Sequence, residues 1–196
     1  MASSGASSSA NLNLDAFINQ VQSLSGSGAT SQLSELLHNA CGDQGVLRMN
    51  EQLLDDALQT LDLQQHSAAI AAILLVKIKT IANNNINLLA VVRAQIAEFV
   101  SSCNSEQIRL VPDIYCSIFH RLTDILLQKN DAQTGIRMVS GAIERLQATS
   151  TQLTSLHADL CCLCLKARNL KPALKFLDQN VDDILREVSD VLTFFN

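Results

Sequence analysis

Residues 153–178, LTSLHADLCCLCLKARNLKPALKFLD, place three of the six cysteines of the chain behind a histidine. Thiolate and imidazole are the groups that zinc prefers, so His157, Cys161 and Cys164 are candidate zinc ligands. At 100° per residue of helix they fall at i, i+4 and i+7 on one face, whereas Cys162 turns away. The alternatives are a redox centre and a purely structural role for the thiols.

A single helix cannot surround a tetrahedral ion, so a zinc site would need further ligands from another helix. Cys116 and His120, spaced i and i+4, could supply them if the two helices stack side by side. The stretch has no CxxC knuckle, and a buried free cysteine behaves as a small apolar residue suited to close helix contacts. We therefore predict no metal and no cofactor, and Cys162 is the one thiol to test for reactivity.

The segment has the pattern of a helix hairpin, with one apolar and one polar face on its first helix. The apolar face is predicted to carry Leu153, Leu156 and Leu160, and the opposite face Ser155, Asp159 and Lys166. Arg168 and Asn169 are predicted to end this helix. Lys171 and Pro172 begin the next, since proline is tolerated in the first turn.

The hairpin is similar to a degenerate tetratricopeptide repeat. Leu160 and Cys161 take the large and small positions of the first helix, and Ala173 and Leu177 take the small and large positions of the second. Cys164 stands where an aromatic residue is usual. These five residues are the predicted structural contacts of the hairpin.

Four of the 14 basic residues, Lys166, Arg168, Lys171 and Lys175, lie close together in the same segment. One interpretation is a site for an anion or a phosphoprotein. The other, which we favour, is a solvated rim with cations placed near a helix C-terminus, where the helix dipole stabilises them.

Composition restricts the class of protein. The chain has 196 residues, 47% of them apolar, which is enough for a real core, and a net charge of -5, which does not suit a phosphate backbone. The N-terminus lacks the basic residues of a signal or transit peptide, so the thiols are predicted to be reduced, in cytosol or nucleus. Lys77 and Lys79 interrupt the most apolar segment well short of the roughly 20 residues of a membrane span, so we predict a buried helix there.

Residues 1–11, MASSGASSSAN, are predicted to form a flexible leader, because they contain nothing to bury. Residues 12–196 show helical signals separated by short polar links, for example the asparagines 83–85 and the turn at Asn130 and Asp131. Short links force consecutive helices antiparallel. We therefore predict an all-α fold, an elongated solenoid of antiparallel helix pairs.

Two of these helices show their buried faces clearly, and the second also raises a question about glycine. Gly135 and Gly141 cost helix propensity, which predicts that a neighbouring backbone comes close there. The first predicted stripe is Ile114, Ile118, Leu122 and Ile125, and the second is Ile136, Val139, Ile143 and Leu146.

Motifs of catalysis are missing from the printed sequence. It contains no GxxxxGK[ST], GxGxxG, GxSxG or HExxH, and its four histidines form no HxH pair. The acidic pairs Asp55, Asp56 and Asp182, Asp183 are predicted to be surface charges on helices, since adjacent helical residues point about 100° apart. We predict that the chain is not an enzyme.

Several short motifs occur in a fixed order along the chain: LD with QHS before an apolar helix, FVSSCN with QIRL, and then QLTS, HADL, LCL and KPAL. In these motifs and their order the chain resembles the subunit 3 family of the COP9 signalosome. The start, AFINQVQSLSG, is similar to the N-terminal helix of the family. Pro112 and the polar residues 83–87 depart from its pattern.

The resemblance implies a non-catalytic scaffold subunit of the complex that removes the ubiquitin-like modifier Nedd8 from cullins. It implies other signalosome subunits as partners, in cytoplasm and nucleus, and an isopeptidase activity that belongs to a different subunit. It also implies a PCI domain with a winged helix after residue 196, so that Val191, Leu192, Phe194 and Phe195 would be exposed here. The alternatives are a subunit of the proteasome lid or of a translation-initiation complex, and a free peptide-binding adaptor.

Overall fold

The computed structural model describes residues 5–81, 86–149, 152–177 and 183–184. Within these ranges nearly all elements are helices, which confirms the all-α prediction. A 3₁₀ turn occupies Glu51–Leu53. The helices are α1 (Gly5–Ser27), α2 (Thr30–Cys41), α3 (Val46–Met49), α4 (Leu54–Thr60), α5 (Ser67–Thr80), α6 (Ile86–Ser102), α7 (Ser105–Ile108), α8 (Pro112–Gln128), α9 (Ala132–Leu146), α10 (Leu156–Lys166) and α11 (Lys171–Leu177).

One pair of very short strands was not predicted. β1 (Gln152–Leu153) pairs in parallel with β2 (Asp183–Ile184). Leu153 therefore precedes helix α10 and does not belong to its apolar face, and Asp183 lies in a strand and not on a helix. Long-range pairing of this kind leaves no periodic signal in so short a segment.

Some predicted features fall partly or wholly beyond the ranges given above. Helix α1 begins at Gly5, so its backbone includes most of the predicted leader, and the boundary at residue 12 stays a prediction. Residues 83–85, Asp182 and residues 191–195 lie outside the described residues.

A row of helices forms the centre of the structure: α2 contacts α5, α5 contacts α8, and α8 contacts α10. Helix α6 lies beside α5 and α9, and α9 lies beside α8 and α10. Every residue of α5 from Ser67 to Ile78 is buried, which confirms the prediction of a buried helix. A helix that is apolar on all sides can be stable in water only when neighbours cover each side.

Helices α8 and α9 pack through the predicted stripes, and all eight residues of the two stripes are buried. The two glycines of α9 are close to side chains and not to backbone, which corrects our prediction. A Cβ atom at Gly135 would lie 2.9 Å from Leu126 Cδ1 and 3.0 Å from both Cδ atoms of Leu163. At Gly141 it would lie 3.0 Å from Val100 Cγ1.

Three arginines fix the ends of helices. Arg93 Nη1 donates to Asp131 Oδ2 at 2.9 Å, which joins the first half of α6 to the residue before α9. Arg145 Nε, near the end of α9, donates to the Val100 carbonyl near the end of α6 at 3.0 Å. Arg109 Nε donates to the Leu146 carbonyl at 3.1 Å. The N-terminal part of α6 lies beside the start of α9 and the C-terminal ends of the two helices lie side by side, so α6 and α9 run in the same direction. The arginine cations also cap the exposed carbonyl groups at these C-terminal ends.

Helix α5 contains a buried charge that was not predicted from the sequence. Lys77 is 6% exposed and its Nζ donates to Asp55 Oδ1, which also accepts from Gln95 Nε2 at 2.9 Å. These hydrogen bonds, the one from Lys77 first, lower the pKa of the Asp55 carboxyl group. Asp55 is exposed on helix α4, as predicted, and it also joins α4 to α5 and α6. The signal in the sequence is a lysine inside an otherwise apolar helix.

None of the helices in the part of the chain that the structure describes has both the length and the apolar character to cross a membrane.

The two glycines give a matched test of packing. Gly141→Ala should be neutral or stabilising by up to about 1 kcal/mol, because alanine favours helix and only one side-chain atom must move. Gly135→Ala gains the same propensity but meets leucines of both α8 and α10, so we expect it to destabilise by about 1–2 kcal/mol. Urea unfolding of both variants measures the difference, and equal effects would contradict this packing.

Asp55→Asn should lower the free energy of unfolding by about 1–2 kcal/mol at neutral pH, because Lys77 stays buried without its counter-charge. The loss is at the low end for a buried pair, since Asp55 is 59% exposed. The folded pKa lies below the unfolded one, so this stability is present above the unfolded pKa and is lost as pH falls through the folded value.

Urea unfolding at about pH 7 and about pH 3 checks both statements. The matched control is Asp56→Asn, which changes an exposed carboxylate on the same helix. Lys77→Met removes the buried ammonium and should abolish the effect of Asp55→Asn in a double-mutant cycle. An Asp55→Asn effect no larger than that of the control would exclude the ion pair as a source of stability.

Candidate functional site

The turn between α10 and α11 lies where the sequence predicts it. Arg168 has a φ of 53°, and the next residue, Asn169, donates its N–H to the Cys164 carbonyl at 2.9 Å. The Arg168 N–H donates to the Leu165 carbonyl at 3.2 Å. This is a Schellman turn, which satisfies the last carbonyl groups of α10 and reverses the chain into α11.

The same turn closes the α8–α9 hairpin. Asn130 has a φ of 54°, its N–H donates to the Leu127 carbonyl at 3.2 Å, and the Asp131 N–H donates to the Leu126 carbonyl at 2.9 Å. The predicted turn at Asn130 and Asp131 is thus confirmed. Asparagine tolerates this backbone conformation better than arginine does, so the turn at Asn130 has the clearer sequence signal of the two.

The buried face of α10 is rotated slightly from the predicted one. Cys161 lies at its margin, half-buried, and Cys162 is exposed, as predicted. Leu163, which we did not assign to this face, is fully buried and packs against Gly135. The buried residues are Leu156, His157, Leu160, Leu163 and Cys164.

The predicted polar face of α10 is not simply a solvent face. Asp159 Oδ2 accepts from His120 Nδ1 at 2.5 Å, and Ser155 Oγ lies 3.2 Å from His120 Nε2. Serine, histidine and aspartate are also the groups of hydrolase triads, but here two of them are one helical turn apart and fasten α10 to α8. Lys166 is exposed, as predicted. A helix wheel with one apolar face does not predict the contact of Asp159, because α10 has α8 and α9 as neighbours in addition to α11.

His157 serves the start of α10. Its Nδ1 accepts the Thr154 N–H at 3.0 Å, and its ring stands edge-on to Phe176 of α11, 5.3 Å between centroids. Burial lowers the pKa of His157, against an opposing effect of the hydrogen bond to the Thr154 backbone. The ring is therefore held neutral in the hairpin, where it joins α10 to α11.

Burial favours the protonated form of the Cys161 and Cys164 thiols. Burial raises the pKa of Cys164, opposed by a hydrogen bond with the Ala173 backbone, and burial followed by the neighbouring Cys162 raises the pKa of Cys161. Zinc binds the thiolate, so raised pKa values oppose metal binding.

The proposed zinc ligands are not gathered around one point. Cys116 is fully buried in α8, while His120 is engaged with α10 through Asp159. In the residues that the structure describes, no three His, Cys, Asp or Glu side chains are grouped so that they could hold a metal ion.

Three of the five residues predicted to be structural contacts of the hairpin are buried. Leu160 and Cys164 of α10 and Ala173 of α11 are buried, and Cys161 is half-buried. Leu177 ends α11, but its side chain lies outside the described residues. Their assignment to tetratricopeptide positions stays a prediction.

The hairpin presents cations and leucines together on its outer side. Lys175 Nζ lies 2.5 Å from Glu144 Oε1 and 5.3 Å from the centre of the Phe176 ring, so one of the four predicted basic residues is a structural contact with α9. All four cations, Lys166, Arg168, Lys171 and Lys175, are exposed, and the exposed leucines are Leu165, Leu170 and Leu174. Such a mixed surface is typical of a binding face for protein and not of a catalytic pocket.

These features define an all-helical protein whose distinctive residues fasten helices to one another. Comparison with known proteins identifies the family: residues 27–195 match the family model of the N-terminal helical repeats of COP9 signalosome complex subunit 3. The chain belongs to this family.

Two relatives are similar over the same region. COP9 signalosome complex subunit 3 of Drosophila melanogaster is 37% identical over 174 residues, which cover 87% of this chain and 38% of the relative. The protein of the same name from Arabidopsis thaliana is 30% identical over 172 residues, which cover 87% of this chain and 39% of the relative. The chain thus spans about two fifths of the length of these relatives.

We predict that the chain, purified with its thiols reduced, carries well under a stoichiometric amount of zinc, because its thiols are protonated and its histidines are engaged. Inductively coupled plasma mass spectrometry measures the metal. Stoichiometric zinc that is lost in a Cys161→Ala, Cys164→Ala variant and kept in Cys162→Ala would restore the zinc hypothesis.

Proposed function

We propose that the protein is a non-catalytic scaffold subunit of the COP9 signalosome, the complex that removes Nedd8 from cullins and so regulates cullin-RING ubiquitin ligases. The observation that carries the proposal is the similarity to subunit 3 over most of the chain. The other subunits of that complex are the proposed partners, in cytoplasm and nucleus, and neither nucleic acid nor membrane is one.

We further propose that the helices form a solenoid of antiparallel pairs. The ties between neighbouring helices support it: Arg93 and Asp131, which join α6 to α9, are 38 positions apart, and His120 and Asp159, which join α8 to α10, are 39 apart. Leu126 of α8 and Leu163 of α10 approach the same glycine, so α8 and α10 also run in the same direction. A spacing near 38 is longer than the 34 residues of a tetratricopeptide repeat.

The greater length of the relatives supports a division of labour within the full protein. We propose that residues 12–196 form an N-terminal repeat array and that a PCI domain with a winged helix follows. The absence of an HxH pair from the printed sequence agrees with an isopeptidase activity that another subunit carries. The array would then contribute contacts through its surfaces and would not take part in catalysis.

Affinity purification of the full-length protein from its source cells tests the assignment. We expect recovery with the other COP9 signalosome subunits. Recovery with proteasome-lid or translation-initiation subunits instead would assign the protein to a sister complex. Binding of short linear peptides by the isolated chain, without recovery in any complex, would favour the free adaptor.

Cross-linking of the purified complex tests the role of the array separately. Lys166 and Lys171 are exposed beside the leucines of the hairpin, whereas Lys77 is buried and serves as an internal control. Amine cross-links from the exposed lysines to other subunits would support an assembly surface here. Cross-links confined to this chain would contradict it.

A further inference from the structure

Positive charge is concentrated in one short part of the chain. Residues 160–177 contain four cations and no acidic residue, although the whole chain has a net charge of -5. Lys175 has a counter-charge, Glu144 of α9. Among the residues that the structure describes, no carboxylate forms an ion pair with the other three cations, which are all exposed. These three cations are Lys166, Arg168 and Lys171.

Exposed leucines lie in the same part of the chain. The described residues include six large apolar side chains that are exposed, and three of the six lie between positions 165 and 174. The exposed fractions are 65% for Leu165, 50% for Leu170 and 48% for Leu174. Ala173 and Phe176, by contrast, are buried, so α11 packs through one side and keeps two leucines on the other. We call the three exposed leucines together with Lys166, Arg168 and Lys171 the hairpin patch.

The leucines and the cations of the hairpin patch adjoin one another. The Leu170 carbonyl accepts the Leu174 N–H at 3.1 Å, so these two leucines are one helical turn apart on the same side of α11. Lys171 lies about 60° from Leu174 around that helix. The Schellman turn at Arg168 brings the end of α10, which carries Leu165, to the start of α11. Both helices therefore contribute to one surface.

The composition of the hairpin patch restricts the kind of partner that it fits. Nucleic acid is bound through cations on phosphates, and exposed leucines add little to such contacts. A helix that lies on a membrane keeps its apolar face free for lipid and commonly carries aromatic residues there, whereas the aromatic residue of α11, Phe176, is buried against α10. A protein segment can supply carboxylates for the cations and apolar side chains for the leucines.

We propose that the hairpin patch binds an acidic segment of another subunit. Asp or Glu side chains of that segment pair with Lys166, Arg168 and Lys171, and its apolar side chains pack on the three leucines. This inference rests on the proposed function, because the partner is a neighbour within the complex. The charges orient the segment and speed its association, and the leucines provide the apolar contact area.

Carbodiimide cross-linking of the purified complex that contains the full-length protein tests the proposal. This reagent joins a lysine amine directly to a carboxylate with which it is in contact. We expect Lys166 or Lys171 to be joined to an Asp or Glu of another subunit. Lys175 and Glu144, with Nζ and Oε1 2.5 Å apart, are the internal control for the reaction. If the control pair is joined while both other lysines are joined only within this chain, only to a second copy of it, or to nothing, the proposal is wrong.

A synthetic peptide of the cross-linked segment then measures what each part of the patch contributes. We expect the affinity of the 196-residue chain for this peptide to fall at least about tenfold in Lys166→Glu, Lys171→Glu and in Leu170→Ser, Leu174→Ser. Lys166→Arg, Lys171→Arg keeps the charges and should keep the affinity. The matched control is Lys79→Glu, Arg137→Glu, which reverses two exposed cations on α5 and α9. Equal affinities in all four variants would contradict the docking.

The remaining outcomes separate this inference from the proposed function. If affinity purification recovers no signalosome subunit, both fail. If the complex is recovered and the cross-links to another subunit do not form, the docking surface alone fails. Binding of the chain to vesicles of phosphatidylcholine and phosphatidylserine, abolished in Lys166→Glu, Lys171→Glu and without cross-links to another subunit, would assign the patch to an anionic membrane instead.

Discussion

The fold depends on the burial of α5. A helix with no polar side must be covered in every direction, so α2, α6 and α8 have to pack around it. Lys77 is the one charge it buries, and Asp55 reaches over from α4 to neutralise it. Once α5 is enclosed, α8 is fixed in place, and the opposite side of α8 packs against α10. The positions of the other helices in the row therefore depend on the most apolar helix.

Hydrogen bonds to helix ends fix how far each helix is shifted along its neighbour. Arg145 caps carbonyl groups at the end of α6, and Arg109 caps those at the end of α9, so each arginine sets the position of one helix against another. The Schellman turns at Asn130 and Arg168 then reverse the chain at equivalent points of two successive hairpins. Directional hydrogen bonds at the helix ends thus set the position of one helix against another. Non-directional apolar contacts between the helix faces provide the packing.

The cysteine-rich segment shows how much a local pattern leaves open. A helix of thiols and imidazole fits zinc by residue type, but His157 and Cys164 have other partners in the structure. His157 binds the start of its own helix and packs on Phe176, and Cys164 lies against Ala173. Their value is structural, because they let α10 and α11 approach closely.

The sequence by itself determined the helices, the stripes of α8 and α9, the turns at Asn130 and Arg168, and the family. Helical periodicity, turn chemistry and short family motifs are local properties of the chain. Only the tertiary structure decided that Asp159 binds His120, that Asp55 neutralises Lys77 and that β2 returns to the start of α10. The physical reason is that a helix wheel gives the faces of one helix but not the number of its neighbours. Residues far apart in the chain meet only when the helices have packed.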